Sequence, residues 1–326
     1  MGMDGELVRL DDVRRTATHV GATALDRAIH DFDRTHPQRS ARRVFYITQL
    51  IALAALLGGL IVALKFAPGT TLKWLWGGAF ALFSAAILLR LVAAAHLKAP
   101  LWRLADPHVF PVYTILCPLY REANVIPDLL TALEHIDYPR EALDIKFIVE
   151  GDDHDTIAAT LAAAEAHHLD VVIVPPSAPR TKPKALNAAL AYARGEYAVI
   201  YDAEDRPHPQ QLRAALAAFE DGPQNLACVQ APLDIDNAAE SWIARQFAAE
   251  YAILFREVLP LLARLKLPFP LGGTSNHFRV DALRRSGAWD PNNVSEDRSN
   301  FASKLNRFRT SEFHIPFVSQ SCASAA

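Results

Sequence analysis

Two long stretches without a single charge, residues 44–64 and 74–89, limit more than any other feature what this chain can become. Each is close to the roughly 20 apolar residues that cross a bilayer, the second once it runs on through residues 91–97. Neither carries the amphipathic face that a helix half-buried in a soluble core needs. Arg90 falls about two turns before the end of the second stretch, close enough for its guanidinium to snorkel to the headgroups. Trp74 and Trp76 stand where an interfacial aromatic belt is expected. The stretches are therefore read as a transmembrane hairpin over residues 44–97, preceded by an N-terminal tail over residues 1–43.

Arg39, Arg42 and Arg43 flank the start of the hairpin, and Arg90, Lys98 and Arg103 flank its end. The short loop between carries only Lys65 and Lys73. By the positive-inside bias, tail and main body both lie in the cytoplasm. More than forty mostly polar residues come before the first apolar run, so a cleaved signal peptide is not expected. A net charge of −3 and a pI near 6.5 give no sign of a nucleic-acid partner. The three cysteines, Cys117, Cys228 and Cys322, are odd in number and widely spaced. They argue against a disulfide framework or a structural zinc site, and they fit a reducing compartment.

Beyond residue 98 the pattern changes. Short β-branched runs at 112–117, 145–150, 170–174, 197–201 and 226–230 alternate with Ala/Leu-rich helical stretches at 125–135, 156–167, 184–193 and 209–220. That alternation predicts an α/β fold with a mainly parallel sheet and crossover helices. A longer helix is expected over 240–263. Its Trp242, Phe247, Tyr251, Leu254, Phe255 and Val258 can pack on the sheet or lie along a membrane surface. The N-terminal tail has one recognisable element, a short amphipathic helix near residues 24–32.

Polar groups gather after successive strands, where open α/β sheets bind ligands. The first strand leads into Pro118-Leu119-Tyr120-Arg121-Glu122 and the second into Glu150-Gly151-Asp152-Asp153. Tyr120 can stack on a base, while Glu150 and Asp152 can accept hydrogen bonds from a uracil ring nitrogen or ribose hydroxyls. The third strand is followed by Arg180-Thr181-Lys182-Pro183-Lys184-Ala185-Leu186-Asn187, which brings Lys182 and Lys184 to a helix N-terminus suited to a diphosphate. The fourth strand ends in Asp202-Ala203-Glu204-Asp205, three carboxylates in four residues. Such oxygens suit a hard divalent cation shared with a phosphate, although a solvated acidic turn has the same composition. Gly272-Gly273-Thr274-Ser275-Asn276-His277 reads as a turn entering a strand. No Gly-x-x-x-x-Gly-Lys-Ser/Thr loop and no dinucleotide glycine fingerprint occurs, which disfavours a P-loop NTPase or a dinucleotide-dependent dehydrogenase.

With Gly287-Ala288-Trp289-Asp290-Pro291 and Val294-Ser295-Glu296-Asp297, these segments carry a resemblance in order along residues 112–297. The chain resembles the family 2 membrane glycosyltransferases of the cellulose-synthase-like, processive polysaccharide-synthase type. The resemblance implies a glycosyltransferase A-type domain over residues 98–308, followed by a tail over 309–326. It implies an inverting transfer from a nucleotide-sugar donor, most often UDP-linked, to a glycan or lipid-linked acceptor. The enzyme would sit in the inner cell membrane as a multi-pass protein with its catalytic domain cytoplasmic. Pro118, Tyr120, Glu122, Glu150, Asp152, Lys182, Lys184, Asn187 and Asp202 would then face the donor. Gly273, Thr274, Asn276 and Trp289 would lie on the acceptor side. Mg2+ or Mn2+ would be held by Asp202 with Glu204, or with Asp205, a choice the sequence leaves open. Asp297 would be the general base with Glu296 beside it, and Ser295 stands where the family has threonine.

The run after Asp297 departs from the family pattern, and no Gln-x-x-Arg-Trp segment precedes Ala326. The expectation is thus a C-terminally shortened synthase, with a possible partner supplying the missing channel. Two rivals remain. One is a non-catalytic protein that binds nucleotide sugars, and the other a monosaccharide transferase acting on a polyprenyl phosphate.

Overall fold

The computed structural model of the protein describes residues 5–10, 15–43, 45–96, 103–235, 237–265, 267 and 271–293. The chain divides into two units, Met1–Ser40 with Lys98–Ala326, and Ala41–Leu97. In the first unit the strands are β1 (Gly5–Leu10), β2 (Arg15–Val20), β3 (Tyr113–Leu119), β4 (Leu143–Glu150), β5 (Asp170–Val174), β6 (Tyr197–Ile200), β7 (Cys228–Gln230) and β8 (Asn276–Arg279). They form one sheet in the order β1-β2-β5-β4-β3-β6-β8-β7. Strands β2, β5, β4, β3 and β6 run parallel, while β1, β8 and β7 pair antiparallel.

The order reverses at β3. From there the chain steps outward through β4 and β5, then returns across the sheet to place β6 on the other side of β3. The helices that make these steps are α4 (Ile126–Glu134), α5 (His154–His167) and α6 (Lys182–Leu190). Ile126, Leu129 and Leu133 of α4 share one core cluster with α7 (Gln211–Asp221), whereas Leu186 and Ala189 of α6 belong to the other. Crossovers on opposite faces leave a crevice at the carboxyl ends of β3 and β6, the ligand position in folds of this kind.

Strand β4 is buried on both faces although its sequence, Leu-Asp-Ile-Lys-Phe-Ile-Val-Glu, carries charges. The interior tolerates them because they pair. Lys146 Nζ lies 3.0 Å from both Asp144 Oδ1 and Asp170 Oδ2, and Thr114 donates to Asp144 Oδ2 at 2.8 Å. Burial alone would raise the Asp144 carboxyl, but Lys146 and the Arg194 backbone N–H hold it below its ordinary range. Gly195 enters β6 so closely that a Cβ there would lie 2.6 Å from Thr114 N and Tyr197 O. No other residue fits that position.

Residues 5–35, read from sequence within a separate tail, are part of the sheet unit. Strand β2 pairs with β5 from Thr16↔Asp170 to His19↔Ile173, and β1 closes the edge outside it. Helix α1 (Ala22–Thr35) buries Ala24, Ala28 and Phe32, spaced four residues apart on one face. Ala24 and Ala28 join the core cluster that holds Leu186 and Trp289. The expected helix near residues 24–32 is present, and its small residues let it approach α6 closely. The expected long helix over 240–263 is interrupted: α8 (Trp242–Ile253) leads into a π-helical turn (Leu254–Val258) and then α9 (Leu259–Arg264). Pro260, which has no N–H to donate to the preceding turn, accounts for the break. After β8, α10 (Val280–Arg285) completes the unit.

The second unit is a pair of helices, α2 (Ile47–Phe66) and α3 (Pro68–His96). Both are long and apolar enough to cross a membrane. No residue of α2 is buried, and Ile51, Leu56, Ile61 and Phe66 project outward around it.

If the N-terminal segment is integral to the sheet unit, Phe32→Ala should destabilise that unit by about 3–5 kcal/mol, as for other buried phenylalanines. Thermal unfolding of the purified chain measures this, and an unchanged midpoint would contradict it. A second expectation concerns His277 of β8, which is fully buried with Nδ1 2.7 Å from the Tyr113 hydroxyl. Burial lowers its imidazole to about 3 from an ordinary 6.5, so below pH 6.5 the unfolded chain binds a proton that the folded one refuses. Folding stability contributed by this residue is complete above 6.5 and falls as the pH drops towards 3. His277→Gln should flatten that limb in urea titrations at pH 7 and pH 5, and an identical slope in the variant would refute the assignment.

Candidate functional site: a carboxylate-lined cleft at the strand ends

A cleft of about 380 Å3 opens at the carboxyl ends of β3, β4 and β6. Pro118, Tyr120, Glu122, Glu150, Arg180, Lys182, Asp202 and Glu204 are among its lining residues. Seven of these were expected from sequence; Arg180 was not. The same basic stretch contains Arg180, Lys182 and Lys184, and a sequence cannot say which of the three turns inward.

The turn after β3 is fixed by its neighbour strand. Arg121 takes a left-handed φ of 59°, and its backbone N–H donates to Asp153 Oδ2 at 2.5 Å. Asp153 also caps α5, accepting from Thr156 N at 3.3 Å. Tyr120 is thereby held at the cleft lip, 44% exposed, with the Arg121 guanidinium 5.2 Å from its ring centre. Helix α6 begins at Lys182, two residues earlier than expected, because Thr181 caps it and Pro183 fits its first turn.

From that first turn Lys182 reaches across to the acidic loop. Its Nζ lies 2.5 Å from Asp202 Oδ1 and donates to Gly273 O at 3.3 Å. This joins three residues expected, in turn, on the donor side, at the metal site and on the acceptor side. Glu122 accepts from Tyr120 N at 3.3 Å. Burial raises its carboxyl above the ordinary range; the Tyr120 N–H opposes the shift, and the charges of Glu204 and Asp202 add to it.

Several expected residues lie elsewhere. Lys184 is fully buried behind the cleft and pairs with Glu150, Nζ to Oε1 at 2.9 Å, so it does not face a diphosphate. Asp152 stands outside the cleft, paired with Arg180 at 2.6 Å. Asn187 acts as a tie: its Nδ2 donates to Trp289 O at 2.8 Å and Ala28 O at 3.2 Å, and its Oδ1 accepts from Trp289 N at 3.1 Å. Trp289 is 2% exposed and packs edge-on against Phe278 in the core, which removes it from any acceptor surface. Thr274 and Asn276 are buried as well, donating to Asp205 Oδ2 and Gly272 O. Ser295, Glu296, Asp297 and the tail over 309–326 lie outside the described residues.

A larger cavity of about 1160 Å3 adjoins the cleft, and the two share Glu122, Ala203 and Glu204 in their linings. Its far wall comes from α8, with Ile243 and Phe247. Sequence reading placed these side chains on a helix but gave no sign that they border the acidic loop.

The acidic cluster divides by direction. Asp202 and Glu204 line the cleft, whereas Asp205 is 1% exposed and accepts from Asp202 N at 2.7 Å and from Thr274 Oγ1. Burial pushes the Asp205 carboxyl up to about 8, helped by the charge of Asp202 and opposed by the Thr274 hydroxyl. Among the described residues no three acidic, histidine or cysteine side chains form a ready-made metal site. Mg2+ and Mn2+ need less, because one or two carboxylates suffice where phosphate oxygens complete the shell. Asp202, whose Oδ1 already takes an ammonium group, and the exposed Glu204 fit that donor set. Asp205 is turned from the cleft towards Thr274 and touches the wall of the adjoining cavity.

The family model described as "Glycosyltransferase like family 2" matches residues 111–315, and the chain belongs to that family. Among curated proteins, the probable glycosyltransferase YdaM of Bacillus subtilis (strain 168) is 25% identical over 205 residues, 61% of this chain and 47% of that protein. The UDP-forming cellulose synthase catalytic subunit of Pseudomonas fluorescens (strain SBW25) is 25% identical over 138 residues, 41% of this chain and 18% of that protein. The matched segments thus span less than half of either relative. Among solved structures, the mannosyltransferase PcManGT from Pyrobaculum calidifontis, in complex with GDP-Man and Mn2+, is similar with a TM-score of 0.55 and 27% identity. That match covers 75% of this chain and 66% of the other. The fold is glycosyltransferase A-like, as expected.

If Asn187 is a tie and not a ligand group, Asn187→Ala should cost about 1–3 kcal/mol by leaving buried backbone groups at Trp289 unpaired. Nucleotide affinity of the folded fraction should stay within a factor of about two. Calorimetric binding beside thermal unfolding separates the two effects, and lost affinity with unchanged stability would reverse the assignment.

Proposed function

We propose that the chain is a membrane-anchored, metal-dependent, inverting glycosyltransferase that takes its sugar from a nucleotide-sugar donor, UDP-linked, and passes it to a polysaccharide or lipid-linked acceptor. The observation that carries this reading is one cleft with a base-sized aromatic and carboxylate at one part, Tyr120 and Glu150, and a lysine with two outward carboxylates at another, Lys182, Asp202 and Glu204. Tyr120 stacks the base and Glu150 accepts from it, while Lys182 and Arg180 supply positive charge for the diphosphate. Asp202 and Glu204 hold the divalent cation, which when bound neutralises charge on the leaving diphosphate. The acceptor occupies the adjoining 1160 Å3 cavity and meets the donor at the shared Glu122 and Glu204.

Inversion requires a carboxylate to take the proton of the attacking hydroxyl, and the family pattern assigns that step to Asp297, with Glu296 beside it. Helices α2 and α3 serve as the anchor in the inner cell membrane, and the arginine and lysine flanks put the catalytic unit on the cytoplasmic side. Polymer synthesis of the cellulose-synthase type, with a partner supplying an exit path, belongs to the same reading. The partial cover of the curated relatives is compatible with it.

The test is turnover of UDP-sugars by purified membranes carrying the chain, with and without Mg2+ or Mn2+. Transfer should need the cation and should vanish in Asp202→Asn. Asp297→Asn should lose about 10²–10⁴ in rate while still binding UDP. Undiminished transfer in a chelator would sink the assignment of Asp202 and Glu204.

A further inference from the structure

Behind the cleft lies a lysine that no part of the transfer chemistry uses. Lys184 is 0% exposed, yet it sits in the first turn of α6, directly behind the end of β4. Its Nζ lies 2.9 Å from Glu150 Oε1 and donates to Glu150 Oε2 and to Ser177 O, both at 3.2 Å, with Ser177 Oγ at 3.5 Å. An ammonium group has three N–H bonds to give, and these partners take them. None remains for a phosphate. Glu150 is itself only 12% exposed, and it lines the 380 Å3 cleft together with Tyr120.

We propose that Lys184 is a positioning residue: it fixes the Glu150 carboxylate so that the cleft selects nucleobases with a ring N–H. This deepens the nucleotide-sugar reading and rests on it. A carboxylate backed by a buried cation can only accept hydrogen bonds from the cleft side. Uracil offers N3–H to it, and guanine offers N1–H with an adjacent amine. Cytosine and adenine present a bare acceptor nitrogen at the same place and only an exocyclic amine beside it. A site built to receive an N–H discriminates strongly against a ligand that lacks it, because its own buried group is left unpaired. Without Lys184 the Glu150 carboxylate would lose the cation that holds its direction, and selectivity would go with it.

The experiment is equilibrium binding of UDP, GDP, CDP and ADP to the detergent-purified full chain, with Mg2+ present. The wild type should bind UDP or GDP at least about tenfold more tightly than CDP and ADP. Lys184→Met should bring that ratio down to within about threefold, a readout that a purely structural lysine would not move. In the Glu150→Gln background, adding Lys184→Met should change the ratio no further, since the lysine acts through the carboxylate. Should the single lysine variant fail to fold because Glu150 is left as an uncompensated buried charge, the double variant, a neutral pair, decides. Stable folding with similar affinity for all four nucleotides is expected of it. Stable folding with the wild-type preference would overturn the proposal, and so would a folded Lys184→Met chain with an unchanged ratio or a wild type that binds all four alike. Binding of none of the four would remove the nucleotide reading itself, an outcome distinct from loss of selectivity.

Discussion

The reversal of strand order at β3 is the constraint on which the rest of the structure depends. Because β4 and β6 both lie parallel to β3, three chain ends emerge along one edge of the sheet. Each emerging segment carries groups of a different chemistry: an aromatic after β3, a carboxylate at the end of β4 and an acidic loop after β6. The crossover through α6 brings the fourth component, the Lys182 ammonium, to the same edge. Short-range sequence has no part in that meeting. Lys182 and Asp202 are twenty residues apart and end up 2.5 Å from one another.

Charge is used in two distinct ways around this edge. Groups that line the cleft are left partly open, as with Asp202 and Lys182 at 29% and 25% side-chain exposure. Groups that shape the edge are buried or half-buried and hydrogen-bonded from within, although Asp205 Oδ1 has no partner among the described residues. Asp205 ties the acidic loop to Thr274, Asp153 locks the turn that presents Tyr120, and Asn187 pins the segment around Trp289 to α1 and α6. A buried polar group costs several kcal/mol unless paired, so each of these must find a partner, and each partner fixes a loop. The polarity of the strand ends is therefore architecture as much as chemistry.

This division explains what could be read from the sequence. Strands β3 to β6 and their helices were legible because period and turn residues are local properties, and their limits moved by only a few residues. The cleft was legible as a set of strand ends, since Pro118, Tyr120, Glu122, Glu150, Lys182, Asp202 and Glu204 all line it. What failed was direction. Nothing in Lys182-Pro183-Lys184 says that the first lysine faces the cleft and the second the interior, because this depends on a register set by Thr181 capping. Nothing in Asp202-Ala203-Glu204-Asp205 says that the last carboxylate turns towards Thr274, some seventy positions later. The N-terminal strands were missed for a related reason. An edge strand such as β2 is defined by its partner β5, and its own sequence, Arg-Thr-Ala-Thr-His-Val, has little apolar alternation.

The central claim is that a nucleoside diphosphate and a divalent cation share the cleft bounded by Glu150 and Asp202. A crystal structure of the chain soaked with UDP and Mn2+, phased at the manganese absorption edge, tests it most directly. The account predicts one anomalous peak coordinated by the Asp202 or Glu204 carboxylate, with the diphosphate beside Lys182 and the base between Tyr120 and Glu150. Manganese and nucleotide bound at any other edge of the sheet, with this cleft filled only by solvent, would contradict it.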